Sequence, residues 1–464
     1  MAKDCIICGR RAGSGEHVFP AALGGRRVNN GIYCGKHNQN FSPLAAILSD
    51  QLSAINARLA VRPDHSKEPR RHTTVNPGDN RKYHVSGTHV EQAAPVILKD
   101  TVAGAVRQMH VQFATERQFQ EWLAQRNAAG TKLETVGRVE GQRYFTQPYT
   151  LQFQFGGLEG LRAIGYVALT FLAHYFPPIA RQAELAAFKD FVLGGNGEPP
   201  AWWDFGVLPG DIPQNAFRFG HRILIGISAT RQEAYARVSL FSTLDFAVHF
   251  GSLRVDTDQT IIVDIDPQAD RAPGDIRETR AQSTLAGVSR PASLTASLRE
   301  TIESGNAQER LEQNINRWQQ ECIAKELLQK IEGTKFLGTS ERFHQIRQLL
   351  SEQGQSVLNL MLIAAAQFRQ QFGTNADMAS LVPVVDALVA EDPDSVSGIS
   401  QMAECTLALA TMALAGQVCR DDADRRLDAE RLRLLLFDGP GAEIVARATL
   451  RPVMAQLGID TAEP

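Results

Sequence analysis

Apolar residues recur at helical spacing in three stretches of the first 180 residues. In 42–61, Ser42 is a favourable N-cap and Pro43 suits a first turn, so the pattern predicts an amphipathic helix that begins there. A second helix is predicted over 111–128. A third, over 158–176, is apolar on nearly every face, which is typical of a helix buried in a domain core.

Strand-like patterns lie between and after these helices. Strands are predicted over 131–156, on the alternation of apolar and polar side chains in 143–155. Further β-rich runs occur at 221–228, 236–250 and 260–266. Together with the helices among them, these segments predict an α+β domain over 92–268.

The chain is almost wholly helical in pattern from residue 291 to its end. A linker rich in Pro, Gly, Arg and Asp precedes this region, and turn signals divide it near 333–334, 373–374, 392–393 and 439–440. An all-α domain is therefore predicted over 291–464, with a role in sensing, dimerisation or partner docking left open. No repeat of fixed period is present.

The first 91 residues differ from the rest in composition. Residues 1–41 leave little room for a core of their own, and together with the helix that follows they predict a small module over 1–60. The polar, Pro-containing stretch 61–91 predicts a basic linker. Residues 1–82 carry a net charge of +7, against −10 for the remainder of a chain whose total is −3. A polyanion, if bound, is therefore expected at the N-terminal part.

The bulk composition is that of an ordinary globular protein, with 43% hydrophobic and 21% charged residues in 464. No run of about 18 uninterrupted apolar residues occurs, so we expect no membrane span and a cytoplasmic location. No G-x4-G-K-[ST] sequence occurs either, which argues against ATP hydrolysis. Three of the six cysteines stand alone in helical segments, which excludes a disulfide scaffold.

The other three cysteines belong to a metal-ligand pattern. Cys5 and Cys8 form C-x2-C, and Cys34 and His37 form C-x2-H about 25 residues later. Two such pairs at this spacing are typical of a tetrahedral structural zinc site. A short segment without a core needs such a metal to fold, so we predict zinc at these four residues.

A second set of polar residues lies between and beside the zinc pairs. Glu16 and His17 are adjacent, and on a strand they would point to opposite sides. The Glu16 carboxylate and the Asn38 amide oxygen suit a hard divalent cation. Histidine gains and loses protons near neutral pH, which suits His17 for activating a water molecule.

In order and spacing, C-x2-C, E-H-V-x-P, G-G and C-x2-H-N-x-x-F resemble the zinc-stapled HNH endonucleases of the ββα-metal type, over roughly residues 5–60. The resemblance implies a structural Zn²⁺ at the four soft ligands and a catalytic Mg²⁺ or Mn²⁺ at Glu16 and Asn38. It makes His17 the general base for phosphodiester hydrolysis. The implied fold class is multidomain α+β, with a small ββα-metal zinc module, an α+β middle domain and an all-α C-terminal domain.

The sequence offers two candidates for one position of the family pattern and departs from the pattern at two others. The central Asn of the family name has two candidates, Asn29 and Asn30, and its distance from Cys34 slightly favours Asn29. Glu16 stands where Asp is frequent, and His37 stands where a fourth Cys is frequent; both keep the required ligand chemistry. One such site per chain predicts nicking of one strand.

Basic residues near the module are expected to bind the phosphates of DNA, largely without sequence preference and in a salt-sensitive manner. They are Arg26, Arg27, Arg58, Arg62, Arg70 and Arg71.

Several alternatives stay open at the level of sequence. The chain is either a nuclease, or a non-catalytic zinc-ribbon protein that binds nucleic acid, or a nuclease that is silent until a partner or a cyclic nucleotide activates it. The substrate is DNA or RNA. The resemblance extends loosely to chains of bacterial anti-phage defence, including the HNH component of type II Zorya systems, and thereby implies other defence proteins as partners.

Overall fold

The structure is a computed structural model that describes residues 3–64, 66, 68–76, 79–103, 106–131, 133–145, 154–204, 212–269, 276–281, 291, 293, 299, 303, 306–372, 381–392, 395 and 397–456. The chain divides into two compact units. Unit 1 comprises Met1–Thr74, His84–Val90 and Leu151–Trp318, and unit 2 comprises Val75–Tyr83, Glu91–Thr150 and Gln319–Pro464. The predicted middle domain, 92–268, is thus divided between the two units. The described residues mix helices with several sheets, and the C-terminal region is helical.

Unit 1 begins with a small hairpin and two helices. Strands β1 (Glu16–His17) and β2 (Val28–Asn29) pair antiparallel, and helices α1 (Gly35–Gln51) and α2 (Ser53–Arg58) follow. The predicted helix start at Ser42 is wrong, because α1 begins at Gly35 with Cys34 as its N-cap. The Asn38 N–H already donates to the Cys34 carbonyl (2.9 Å), so Pro43 lies inside the helix instead of in its first turn.

The core of unit 1 lies between a long apolar helix and a six-stranded antiparallel sheet. Helix α4 (Gly157–Tyr175) confirms the prediction over 158–176, and its middle is buried. The sheet order is β13-β12-β9-β10-β11-β8, in which every residue of β9 is buried. The strands are β8 (Ala201–Trp203), β9 (His221–Ser228), β10 (Glu233–Leu240), β11 (Leu244–Ser252), β12 (Gln259–Ile265) and β13 (Ile276–Ala281). Helix α4 contacts this sheet as well as α1, which places the N-terminal hairpin beside the core.

Short elements complete this part of the chain. Helices α5 (Pro177–Ala180) and α6 (Ala186–Val192) follow α4.

The stretch 61–91, predicted as a linker, contains most of a three-stranded sheet of β3 (His72–Asn76), β4 (Arg81–Ser86) and β5 (His89–Gln92). In these strands buried residues alternate with more exposed ones, as at Thr74, Tyr83 and Val85. The many charged residues of the stretch make this period-2 pattern hard to recognise in the sequence.

Unit 2 contains a two-stranded sheet and most of the helices of the C-terminal half. Strands β6 (Val96–Ala103) and β7 (Val106–Gln112) pair antiparallel, and α3 (Glu116–Ala128) follows close to the predicted helix. The strands predicted over 131–156 are not found in 133–145, and 146–153 lie outside the described residues. Tyr144 and Phe145 instead meet helices: the Gln355 side chain bonds the backbone N–H and carbonyl of Phe145 at 2.6 and 2.7 Å.

The helical region confirms the predicted helical character of the described residues after 305. Its helices are α7 (Asn306–Glu332), α8 (Thr339–Ser351), α9 (Gly354–Phe372), α10 (Val382–Ala387), α11 (Gln401–Ala423), α12 (Ala429–Phe437) and α13 (Gly439–Gln456). Their apolar faces form a large core cluster that includes Ile331, Leu350, Leu358, Leu414 and Leu435. A smaller second cluster, around Phe368, Val385 and Leu450, involves α10.

Helix α11 is, among the described residues, the one helix long and apolar enough to cross a membrane. Its residues Ala403, Leu407, Ala410 and Leu414 belong to the core of unit 2, the arrangement of a core helix in a globular domain. A cavity of about 750 Å³ lies beside this helix, lined by Tyr144 among others. The absence of a membrane span stays a prediction, and so does a role of this region in sensing, dimerisation or partner docking.

Candidate metal centre and active site

Cys5, Cys8, Cys34 and His37 converge at the N-terminus of α1. Their ligand atoms all lie within 4.8 Å of one another. His37 Nδ1 is 3.5 Å from the Cys5 Sγ and 3.4 Å from the Cys34 Sγ, and the Cys8 and Cys34 sulfurs are 3.8 Å apart. A tetrahedral zinc with ordinary bond lengths separates such atoms by roughly 3.6–3.8 Å. The cluster is therefore compatible with a zinc site, as its spacing predicted.

Local backbone structure presents these ligands. The Cys5 N–H donates to the Arg10 carbonyl (2.6 Å) and the Gly9 N–H to the Cys5 carbonyl (3.0 Å), which closes a tight knuckle. Gly9 has φ +69, a conformation that glycine adopts without strain. On the other side, backbone N–H groups of His37 and Lys36 bond the Cys34 sulfur and lower its pKa, and burial lowers the pKa of His37. Both shifts favour the deprotonated forms that bind metals.

The hairpin β1–β2 is anchored to α4 by aromatic side chains. Tyr33 is fully buried, and its hydroxyl lies 3.0 Å from the Thr170 Oγ1. The Phe41 ring lies between Tyr33 and Tyr166, with ring centroids 4.8 and 5.2 Å away. The N-terminal segment thus packs its buried aromatic side chains against α4. The sequence of residues 1–60 alone does not reveal this partner.

Glu16 faces this buried side of the hairpin. It is 7% exposed, and the Tyr166 hydroxyl donates a hydrogen bond to its Oε1. Burial raises the pKa of Glu16 to about 7, against the opposing effect of the Tyr166 bond. Near neutral pH its carboxyl is therefore poised between the neutral and charged forms, and a cation would favour the charged one.

His17 faces a different environment, as expected for adjacent residues of a strand. Its Nε2 lies 3.2 Å from the Asp64 Oδ2, and the two side chains are 22% and 21% exposed. An imidazole beside a carboxylate can be held in one orientation and one tautomer, which is the arrangement that a general base requires.

Asn38 lies against the residues that precede Glu16. Its Nδ2 donates to the Ser14 Oγ (2.8 Å) and to the Gly15 carbonyl (3.4 Å). Its Oδ1 is buried and has no hydrogen-bond partner in the described part of the chain. A buried amide oxygen without a partner is costly, so this atom is available to a cation or a water molecule.

The two candidates for the central Asn differ in their surroundings. Asn29 pairs with Glu16 across the hairpin, its Oδ1 accepts from the Gly31 N–H (2.8 Å), and its Nδ2 lies 2.9 Å from the His174 Nδ1. Asn30 is exposed. Asn29 is therefore the better placed of the two to fix the hairpin.

The six arginines predicted to bind DNA are not equivalent. Arg27 forms an ion pair with Glu278 and donates to the Tyr175 hydroxyl (2.7 Å), while Arg26 donates to the Ala269 carbonyl. Arg70 donates to the Ser49 Oγ (2.6 Å) but is, like Arg71, exposed. Arg58 ends α2, and both it and Arg62 are half-buried.

Three residues at the site were not predicted: Asp64, Tyr166 and His174. Each comes from a segment distant in sequence and carries no motif. Two of them, Tyr166 and His174, are polar positions on the otherwise apolar helix α4. A buried helix with polar side chains is a signal for a site, whereas nothing in the sequence around Asp64 distinguishes it.

Comparison of the chain with family models finds no match, and comparison with curated proteins and with solved structures finds none either.

Proposed function

We propose that the N-terminal part of unit 1 is a metal-dependent nuclease module that hydrolyses phosphodiester bonds of DNA. The single observation that carries this proposal is the placement of Asn38. Its amide lies against Ser14 and Gly15, directly before the strand of Glu16 and His17, and its buried Oδ1 has no hydrogen-bond partner in the described part of the chain.

A structural zinc at the Cys5, Cys8, Cys34 and His37 cluster is the first part of the proposal. Cys5, Cys8, Cys34 and His37 offer four ligand atoms within 4.8 Å of one another. On a tetrahedral zinc they would fill every position, as in structural sites, and leave none for a substrate. Its role is to hold the knuckle of Cys5 and Cys8 against the start of α1, and thereby Asn38 against the hairpin.

The second part is a divalent cation, Mg²⁺ or Mn²⁺, at Glu16 and Asn38. Carboxylate and amide oxygens are the donors that such hard ions prefer. When bound, the ion would neutralise charge on the scissile phosphate and on the leaving oxygen. The Tyr166 hydroxyl, which donates to Glu16, would orient the carboxylate as outer-shell partners of metal ligands do.

His17 has the role of general base. It takes a proton from a water molecule as the oxygen attacks phosphorus. Asn29 fixes the hairpin from the opposite strand. One such set per chain cuts one strand, so the expected product on duplex DNA is a nick.

DNA binding is proposed for the exposed Arg70 and Arg71 in the first place. Arg26 and Arg27 are only half-exposed, and Arg27 is held in an ion pair with Glu278, so they would contribute less to contacts with phosphate. Each phosphate neutralised adds to affinity in a salt-dependent manner.

The rival function is a zinc ribbon that binds nucleic acid without cutting it. Such a protein needs the four soft ligands alone. The Asn38 Oδ1, which has no hydrogen-bond partner among the described residues, and the His17–Asp64 pair favour the enzyme over a zinc ribbon. Cleavage of RNA, activation by a partner or a cyclic nucleotide, a role in anti-phage defence and a cytoplasmic location stay proposals that follow from the family resemblance.

The test is cleavage of supercoiled plasmid in Mg²⁺ or Mn²⁺ by wild type, His17→Ala and His89→Ala, an exposed histidine on β5 that serves as the matched control. Loss of a general base is expected to slow nicking by about 10²–10⁴-fold, with zinc content and melting temperature unchanged. Equal nicking by wild type and His17→Ala would overturn the assignment. Binding of DNA without cleavage by any variant would support the rival.

A further inference from the structure

His17 and Asp64 meet although 47 positions separate them in the chain. The Nε2 to Oδ2 distance is 3.2 Å, and each side chain is about four-fifths buried. Burial to this extent distinguishes the contact from a solvated surface pair, which contributes little to stability and holds neither side chain in place.

Backbone contacts fix Asp64 in its position. Helix α2 ends at Arg58, the chain turns at Ala60 (φ +50), and the Val61 N–H returns to the Asn56 carbonyl (2.8 Å). The Asp64 N–H then donates to the carbonyl of Ala21, in the loop between β1 and β2 (3.2 Å). Asp64 is therefore tied to the hairpin that carries His17.

A second tie comes from the segment after β12. The Arg62 N–H donates to the Pro267 carbonyl (3.1 Å), and the Gln268 side chain donates to the Leu59 carbonyl (2.7 Å). The stretch from Leu59 to Asp64 is thus bonded on two sides, so the Asp64 carboxylate stays where the imidazole meets it.

The chemistry of the two groups decides the tautomer. An ionised carboxylate only accepts hydrogen bonds, whereas a neutral imidazole has one nitrogen that donates and one that accepts. Nε2 faces Asp64. The neutral tautomer that can donate to an ionised carboxylate from there is the one with the hydrogen on Nε2 and the lone pair on Nδ1. The nitrogen able to take a proton is then Nδ1.

We propose that Asp64 is the positioning residue of the general base: it holds the His17 imidazole as the Nε2–H tautomer, so that Nδ1 receives the proton of the attacking water. The water loses one proton to Nδ1, and its oxygen forms the new bond to phosphorus as the bond to the leaving oxygen breaks. This inference rests on the proposed nuclease function, to which it adds a residue outside the metal ligands.

The experiment uses the full chain with ¹⁵N-labelled histidine, as wild type, Asp64→Asn and the control Asp256→Asn, which changes an exposed carboxylate of unit 1. Two-bond ¹H–¹⁵N correlation reports the tautomer of His17, whose signals are those missing from His17→Ala. We expect the Nε2–H form in wild type and in Asp256→Asn, and a mixture of tautomers in Asp64→Asn.

Plasmid cleavage is measured on the same samples and on His17→Ala/Asp64→Asn. We expect Asp64→Asn to lower kcat about 10- to 100-fold with little change in KM, and to have no further effect in the His17→Ala background. An unchanged tautomer in Asp64→Asn, or an equal loss of activity in both backgrounds, would overturn the proposal. If wild type does not cleave, the nuclease function fails, and the tautomer alone decides whether Asp64 positions His17.

Discussion

The four-ligand cluster and the hairpin site lie within the same N-terminal segment, yet they are built differently. The cluster draws its four side chains from two local knuckles, and their ligand atoms lie within 4.8 Å of one another. At the hairpin site, Glu16, His17 and Asn29 each contact a residue from elsewhere in unit 1: Tyr166, Asp64 and His174. The cluster is thus formed by residues close together in the chain, whereas the hairpin site depends on contacts with the rest of unit 1.

This difference has a consequence for stability and activity. A closed metal site mainly supplies folding energy, because only the folded chain holds its ligands together. Side chains with outside partners can lose function without loss of fold. The two sites should therefore respond differently to substitution.

The largest effect is expected from Cys34→Ala. Removing one ligand should abolish stoichiometric zinc binding, because structural zinc sites contribute roughly 10–16 kcal/mol of apparent binding free energy in small peptides. Zinc per chain, measured by atomic emission, should fall from one to near zero, and cleavage should fall with it. Cys405→Ala, on an exposed cysteine of α11, is the control. Retention of one zinc by Cys34→Ala would show that the cluster is not the binding site.

The next effect is expected from Glu16→Gln. The amide keeps the shape of the side chain but removes the charge that would hold the divalent cation. Cleavage should fall about 10²–10³-fold while the zinc content stays at one per chain. If zinc is lost together with cleavage, the two sites are not separable, and the comparison fails.

Stability against pH reports the same carboxyl without any assay of activity. The folded Glu16 keeps its proton up to a pKa of about 7, above the 4.5 of the unfolded chain, so the folded state binds more protons between these values. The free energy of unfolding should therefore fall as pH rises from 4.5 to 7, by on the order of 2–3 kcal/mol from this group. Chemical denaturation without added Mg²⁺ or Mn²⁺ measures it. Glu16→Gln should lack this loss, and an identical pH profile in both proteins would contradict the burial of the carboxyl.

The smallest effect is expected from Arg70→Ala. Loss of one phosphate contact should reduce the slope of log affinity against log salt by about 0.9, with a similar loss on every DNA sequence. Binding isotherms at several salt concentrations measure the slope. Arg117→Ala, an exposed arginine of α3, is the control, and an unchanged slope for Arg70→Ala would remove it from the DNA-binding surface.

The sequence predicted the local site better than the distributed one. Spacing alone located all four ligands of the cluster, because two-residue gaps determine which side chains can bind one ion. Hydrophobic periodicity likewise located α4 and the strand β9, whose burial leaves a continuous apolar run. These features depend on neighbours in the chain.

Features that depend on distant contacts were missed. The start of α1 is fixed by the knuckle at Cys34 and not by the better N-cap residue Ser42. The backbone at Phe145 is bonded by the Gln355 side chain in place of a neighbouring strand. Asp64 reaches His17 only because the chain turns after α2 and is bonded to Ala21. No local pattern encodes such partners.

The most direct test of two separate metal sites is a titration of plasmid cleavage with Mg²⁺ or Mn²⁺, on protein that holds one zinc per chain. With two separate sites, we expect no cleavage without the added ion. Nicking should saturate as the ion concentration rises, and the zinc content should stay constant throughout. Cleavage that needs no added ion, or that requires zinc to leave the cluster, would contradict two separate metal sites in one module.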